Sequence, residues 1–292
     1  MSTPCCGPSV SVGSLLTESI ATLNAADISA ADFEAQCIIA HVLDTRPGRL
    51  RDSMVVAAVQ RRLIGHLLAL RCRRMPLNYV LGNAEFMGLE FRCDSRALSP
   101  RPETELLAEL LIERIGLSAT GLLLDIGCGS GVLGLSVAHH VPGITVVGSD
   151  VSLAALQLFI ENSRRLGLTD RAFAVSGSYL DWLSSGAASM VRFLVSNPPY
   201  VRPDDYLELQ PEIVRYEPRE ALVSPSADGL GAYHQIATRL DEMTGLQLVG
   251  LEIGYDQSEV AQIMKQARPD MRWSVEKDYS GNPRIVLGEC GG

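Results

Sequence analysis

Apolar residues recur at helical spacing over Val12 to Asn24, Asp32 to Leu43 and Met54 to Arg73. Each segment then has one apolar and one polar face, as a helix that buries a stripe requires. Ser29 with Asp32 three residues later predicts a capped start for the second. The residues before about position 10, with Pro4-Cys5-Cys6-Gly7-Pro8, read as a loose tail. Together these make a small all-helical N-terminal domain, residues 1–84. From Glu85 to Leu98 apolar and polar residues alternate with period two, which predicts a β-hairpin linker over 85–100. From Pro102 on, continuous apolar runs alternate with helical segments. The runs Leu122-Leu123-Leu124, Ile144 to Gly148 and Phe193 to Ser196 read as buried strands. Such alternation predicts an α/β doubly wound sheet over 101–292, with ligands at the carboxyl ends of its strands. Arg272 to Lys277 and Pro283 to Glu289 flank Ser280-Gly281-Asn282 and read as a final antiparallel hairpin.

Composition narrows the class. With 292 residues and 47% hydrophobic content, the chain can bury an ample core. The best apolar run, Gly121 to Ala138, is broken by Asp125 and several glycines, so no membrane span is expected. The first basic residue is Arg46, so no signal peptide is expected either. None of the seven cysteines is spaced C-x-x-C and no histidine stands beside a pair at metal-ligand spacing. They read as reduced thiols of a cytoplasmic protein with no metal; His139-His140 read as a helix end. A net charge of −9 does not advertise nucleic-acid binding. The charge is uneven, however. Arg46, Arg49, Arg51, Arg61, Arg62, Arg71, Arg73 and Arg74 cluster near the N-terminus with Asp52 the only acid among them. They form either a solvated helix face or a docking surface for an acidic partner.

Two loops carry chemistry. Leu124-Asp125-Ile126 runs into Gly127-Cys128-Gly129-Ser130-Gly131, and glycines are needed where backbone must approach a ligand closely or take φ > 0. Cys128 reads as a small filler. Gly129, Gly131 and Gly134 also satisfy a dinucleotide pattern. Asp150, at the end of the next strand, could take both ribose hydroxyls of either a nicotinamide or an S-adenosyl-L-methionine cofactor. Asn197-Pro198-Pro199-Tyr200 breaks the tie. After a buried strand, the Asn197 side-chain carbonyl and the Pro198 backbone carbonyl can accept the hydrogens of a planar nitrogen, the prolines fix the loop, and Tyr200 can lay its ring on the group. Methylation of an amide or amine nitrogen needs such a cup; a nicotinamide enzyme has no use for it.

Beside these loops stand Pro100-Arg101-Pro102-Glu103-Thr104-Glu105, Glu217-Pro218-Arg219-Glu220-Ala221-Leu222, Leu251-Glu252-Ile253-Gly254-Tyr255 and Asp278 to Arg284. In this order they resemble the release-factor glutamine N5-methyltransferases (PrmC, also called HemK) over nearly the whole chain. The resemblance implies a class I, Rossmann-like methyltransferase with an antiparallel last strand, acting as a monomer on the Gly-Gly-Gln glutamine of class I peptide-chain release factors. It further implies that S-adenosyl-L-methionine lies on Gly127 to Gly131, Asp150, Asn197 and an adenine-side acid. Asp181-Trp182 fits that acid by spacing to Asn197; Ser178-Tyr179 is the competing alignment. Ser99 departs from the family, which usually has isoleucine there. Alternatives are the same fold acting on another amide, amine or guanidine nitrogen, a DNA adenine N6-methyltransferase, and a non-catalytic binding protein.

Overall fold

The structure is a computed structural model that describes residues 10–291. The tail expected at residues 1 to about 10, including Cys5 and Cys6, lies outside the described residues apart from Val10.

The N-terminal unit contains β1 (Val10–Ser11), α1 (Val12–Asn24), α2 (Ala31–Val42), β2 (Val55–Val56), α3 (Ala58–Cys72) and α4 (Leu77–Leu81). The Ser11 hydroxyl caps α1 by accepting the Ser14 N–H at 3.2 Å. The expected Ser29 cap is not made: Ala30 holds the N-cap position of α2 with no side-chain bond. α3 starts later than its apolar pattern suggests, because Val55 and Val56 pair antiparallel with Ser11 and Val10 instead of coiling. Leu23, Ile38, Ile39 and Ile64 are fully buried in this unit's core.

The second unit opens with a hairpin, β3 (Asn83–Phe86) and β4 (Leu89–Arg92). Met87 and Gly88, both at positive φ, make its two-residue turn. The pairing thus begins two residues before the alternation from Glu85 implies, and ends before Cys93. There follow α5 (Pro102–Ile115), β5 (Thr120–Ile126), α6 (Val132–His140), β6 (Gly143–Asp150), α7 (Leu153–Arg165), β7 (Ala172–Ser176), α8 (Ser185–Ala188), β8 (Val191–Ser196), α9 (Pro211–Tyr216), α10 (Gly231–Ala237), β9 (Leu248–Glu252), α11 (Val260–Ala267), β10 (Met271–Lys277) and β11 (Pro283–Cys290).

One of these, α9, belongs to the N-terminal unit and not to the segment its sequence position suggests. Its Glu212 is held there by guanidinium groups: Arg71 Nη2 lies 3.1 Å from Oε1 and Arg74 Nη2 lies 2.8 Å from Oε2. Arg71 also bonds Glu34 at 2.5 Å, and the Tyr216 hydroxyl donates to the Arg73 carbonyl at 2.8 Å. The arginine cluster therefore divides. Arg71 is buried and Arg74 half-buried in this network, whereas Arg46, Arg49, Arg51, Arg61, Arg62 and Arg73 are exposed.

The seven-stranded sheet has the order β10-β11-β9-β8-β5-β6-β7, parallel except at β11, which runs antiparallel to both neighbours. Strand side chains alternate faces, and both faces are covered. Leu123, Val146, Phe193 and Val195 pack with Leu107, Leu111, Leu135 and Phe159 on one side. Leu124, Leu194, Val249 and Leu251 pack with Tyr233, Ile236, Val260 and Met264 on the other. At about 1.5–3 kcal/mol for each buried large apolar side chain, these two layers dominate the unit's stability. From β5 the chain winds outward through β6 and β7, then returns to β8 on the other side of β5. That reversal makes the β5/β8 edge the topological switch point, where open α/β sheets hold their ligands. The parallel register pairs Ile126 with Ser196, so Gly127 and Asn197 leave the sheet side by side.

Candidate active site

The glycine loop is shaped by two carboxylates that grip backbone. Asp125, 1% exposed at the end of β5, accepts the Gly134 N–H at 2.9 Å and so ties the strand to the first turn of α6. Burial pushes its carboxyl up to about 7, with the Gly134 N–H acting against that rise and the negative charge of Asp150 adding to it. Asp150 accepts the Gly129 N–H on Oδ2 at 2.9 Å and the Ser152 N–H on Oδ1 at 2.8 Å. Burial raises its pKa as well, against those same N–H bonds. Gly131 sits at φ +83°, and a Cβ there would lie 2.6 Å from the Phe159 ring, so no larger residue fits. Gly127, at φ +65°, has open space where its side chain would stand. Cys128 is buried, and desolvation holds its thiol well above the ordinary range. It fills space and is not a nucleophile.

Across the switch point the cup is shaped through side chains. Asn197 follows β8, and its Nδ2 donates to Thr104 Oγ1 at 3.2 Å. Thr104, in the first turn of α5, donates its own proton to Glu252 Oε2 at 2.7 Å. Glu252 is the last residue of β9 and is 1% exposed. Its other oxygen, Oε1, accepts the Tyr200 hydroxyl at 3.4 Å. Burial pushes the Glu252 carboxyl up to about 7, against the bonds from Thr104 and Tyr200 and the charge of Arg284. The donors in this chain settle the amide's orientation. While Glu252 is ionised, Thr104 spends its one proton on it and can only accept from Asn197. The Asn197 carbonyl is left on the opposite side of the amide. A second pair, Arg101 and Glu217, joins the segment before α5 to the one after α9, with Arg101 Nη2 2.7 Å from both carboxylate oxygens.

One cavity joins the two loops. It is lined by Gly127 to Ser130, Asp150, Asn197, Pro198 and Pro199, together with Ser99, Arg101, Thr104, Gly177 and Tyr179. Most residues expected at a site therefore meet around one space, and Gly131 adjoins it as the N-cap of α6. Besides Gly131, three expected residues do not line it. Asp181 is exposed, and Trp182 packs against Gly177 while its Nε1 donates to the Tyr179 carbonyl at 3.0 Å. The Ser178-Tyr179 alignment is the one that reaches the cavity, through Tyr179, which is held at φ +41°. Tyr200 also stands off it, since its hydroxyl is directed at Glu252. Thr104 and Glu252 carry the cup, yet sequence reasoning assigned them no role. Their only signal was their membership of the two motifs Pro100 to Glu105 and Leu251 to Tyr255.

A parallel sheet with an antiparallel strand near its end, and a glycine loop and an Asn-Pro-Pro-Tyr loop adjoining at its switch point, define a class I methyltransferase. Solved structures share the fold. The hMettl16 catalytic domain in complex with MAT2A 3'UTR hairpin 6 superposes with a TM-score of 0.54 at 13% identity, covering 82% of this chain and 86% of that one. The T. thermophilus 16S rRNA N2 G1207 methyltransferase (RsmC), in complex with AdoMet and guanosine, superposes with a TM-score of 0.50 at 18% identity, covering 72% and 50%. Residues 102–221 match the methyltransferase small domain and residues 14–82 the PrmC N-terminal domain. The release factor glutamine methyltransferase of Moorella thermoacetica is 34% identical, over 93% of this chain and 96% of its own. That of Rhodospirillum rubrum is 30% identical over 94% and 84%, and the human MTRF1L release factor glutamine methyltransferase 32% identical over 86% and 79%. The chain belongs to the release factor glutamine methyltransferase family.

Proposed function

We infer that this enzyme transfers a methyl group from S-adenosyl-L-methionine to the side-chain amide nitrogen (N5) of the glutamine in the Gly-Gly-Gln motif of class I peptide-chain release factors. The observation that carries the reading is the adjacency of the glycine loop and the oriented Asn197 carbonyl on one cavity. Family membership supports the substrate.

The residues present fit the cofactor. Gly127 leaves room for a ligand against backbone, and the Asp150 carboxylate oxygens retain lone pairs beyond the N–H bonds they accept. Gly127 to Gly131 and Asp150 would hold it, Asp150 by the ribose, with Tyr179 on the adenine side in preference to Asp181 or Trp182. Bound there, S-adenosyl-L-methionine supplies an electrophilic methyl carbon on a positively charged sulfur.

This chain's own residues do the rest by positioning. Asn197 Oδ1 and the Pro198 carbonyl accept the two hydrogens of the glutamine amide, which turns its nitrogen lone pair toward the cavity. Pro198 and Pro199 hold the loop open without a backbone donor that would compete for those acceptors. Alignment of this kind supplies on the order of 7–11 kcal/mol. The product nitrogen sheds its extra proton readily, so no general base is required. A release factor as substrate puts the enzyme's work in the cytoplasm. Among the described residues no helix is long and apolar enough to cross a membrane.

The test is methylation of a purified class I release factor with the cofactor, read by peptide mass spectrometry. One added methyl on the Gly-Gly-Gln glutamine is expected. An unmodified glutamine beside rapid methylation of DNA adenine or of a free amine would refute it.

A further inference from the structure

Glu252 touches neither the cavity nor Asn197 directly, yet one of its oxygens is engaged by Thr104 on the cavity wall and the other by Tyr200 behind it. The Thr104 hydroxyl donates to Oε2 at 2.7 Å and the Tyr200 hydroxyl to Oε1 at 3.4 Å. With both oxygens accepting, Thr104 has only its lone pairs to offer Asn197, and Nδ2 takes one at 3.2 Å.

We propose that the Glu252 carboxylate is a positioning residue for methyl transfer, acting through the Thr104 hydroxyl to hold the Asn197 amide with its carbonyl toward the substrate nitrogen. The proposal rests on the function inferred above. Its logic is a count of protons. A neutral Glu252 that carries its hydrogen on Oε2, the oxygen facing Thr104, donates it to the Thr104 hydroxyl. The Thr104 proton must go elsewhere, and Asn197 is the partner within reach. The amide turns over, gives its oxygen to Thr104 and presents its NH2 to the cavity. Two NH2 groups then face each other where an acceptor is needed.

The groups that bear on Glu252 are few. Thr104 and Glu103 come from α5, Tyr200 from the loop after β8, and Arg284 from β11, itself 3.5 Å from Asp278. Tyr233, on α10, donates to the Glu252 backbone carbonyl at 2.8 Å. Thr104, Arg284 and Tyr200 favour the carboxylate, whereas burial and Glu103 oppose it. Burial is the largest of these and pushes the carboxyl up to about 7.

The experiment has a catalytic and a spectroscopic arm. In wild type kcat is expected to rise with pH through one ionisation near neutrality, and the Asn197 side-chain NH2 resonances in a 15N-labelled sample to move with the same midpoint. Glu252→Gln should flatten both. Thr104→Val, which removes the hydroxyl and keeps the shape, should lower kcat by about 10- to 100-fold, the cost of leaving a buried hydrogen-bond partner unsatisfied. Cofactor affinity should stay within about threefold, and Thr104→Ser should restore kcat. Asn197 resonances that ignore pH in wild type, or Thr104→Val within twofold of wild type, would overturn the relay. Failure of wild type to methylate glutamine at all strikes instead at the inferred function, and the resonance titration still decides the relay on its own.

Discussion

The two halves of the cavity both rest on carboxyls, and they use them differently. Asp125 grips a backbone N–H, that of Gly134, and Asp150 does the same with Gly129 and Ser152. Glu252 grips two side-chain hydroxyls, those of Thr104 and Tyr200. Backbone cannot turn over, so the cofactor half is held in one arrangement whatever the charge of its acids. Hydroxyls and amides can exchange donor and acceptor roles, so the substrate half is held only while its proton count is right. A third arrangement, in the N-terminal unit, surrounds Glu34 and Glu212 with Arg71 and Arg74. Although burial works to raise the Glu212 pKa, bonds to its own backbone N–H and to those arginines hold it below the usual carboxylate range. A guanidinium makes a permanent anion, whereas hydroxyls leave one that titrates.

The largest expected effect breaks the substrate half alone. Asn197→Ala should lower kcat by about 10²–10³-fold, the usual cost of one preorganised partner in the transition state. Cofactor affinity measured by calorimetry should move by no more than about threefold. A variant with wild-type turnover would show that the cup does not hold the substrate nitrogen.

Next comes stability against pH, which addresses both halves together. The Asp125 and Glu252 carboxyls stand at about 7 in the folded protein against ordinary values of 3.8 and 4.5. Between those ordinary values and 7 the folded chain keeps protons that the unfolded chain has released. Stability contributed by these two groups therefore falls as pH rises through that window, by up to about 3–4 kcal/mol each, and is level above it. Urea unfolding at pH 5 and pH 8 should show the fall in wild type. Asp125→Asn and Glu252→Gln should each remove part of it. Equal stability at the two pH values in wild type would mean that both acids are solvated.

Asp150→Ala sharpens the comparison from the cofactor side. It removes a charged acceptor for the ribose as well as the Gly129 and Ser152 bonds. Cofactor affinity should weaken by about 1.5–3 kcal/mol, roughly 10- to 150-fold, while kcat at saturating cofactor stays closer to wild type than in Asn197→Ala. A dissociation constant unchanged by the substitution would remove Asp150 from the cofactor site.

The pattern of apolar runs made the fold legible, since sheet strands buried on both faces and helices between them leave a local signature. Both cavity loops were legible for the same reason: Gly127 to Gly131 and Asn197 to Tyr200 are contiguous and directly follow strands. What stayed hidden was long-range. Thr104 and Glu252 are 148 positions apart and meet only because α5 packs beside β9. Glu212 joins Arg71 across 141 positions, which is why α9 sits with helices that its sequence neighbours do not suggest. At the adenine side, spacing to Asn197 favoured Asp181-Trp182. The turn after β7 instead brings Tyr179 to the cavity and folds Trp182 onto Gly177.

The smallest expected effect lies in the exposed arginines. If they dock the release factor, Arg62→Glu with Arg73→Glu should raise KM for the intact factor by about threefold, less so in high salt, and leave KM for a short Gly-Gly-Gln peptide unchanged. Equal shifts for protein and peptide would make them a solvated face.

The most direct test of the account is single-turnover methylation of a class I release factor by wild type and Asn197→Ala, both saturated with S-adenosyl-L-methionine, with the modified residue located by mass spectrometry. The account predicts one methyl on the Gly-Gly-Gln glutamine with wild type and a rate about 10²–10³-fold lower with the variant at equal cofactor occupancy. A methyl on any other residue, or equal rates for the two proteins, would contradict it.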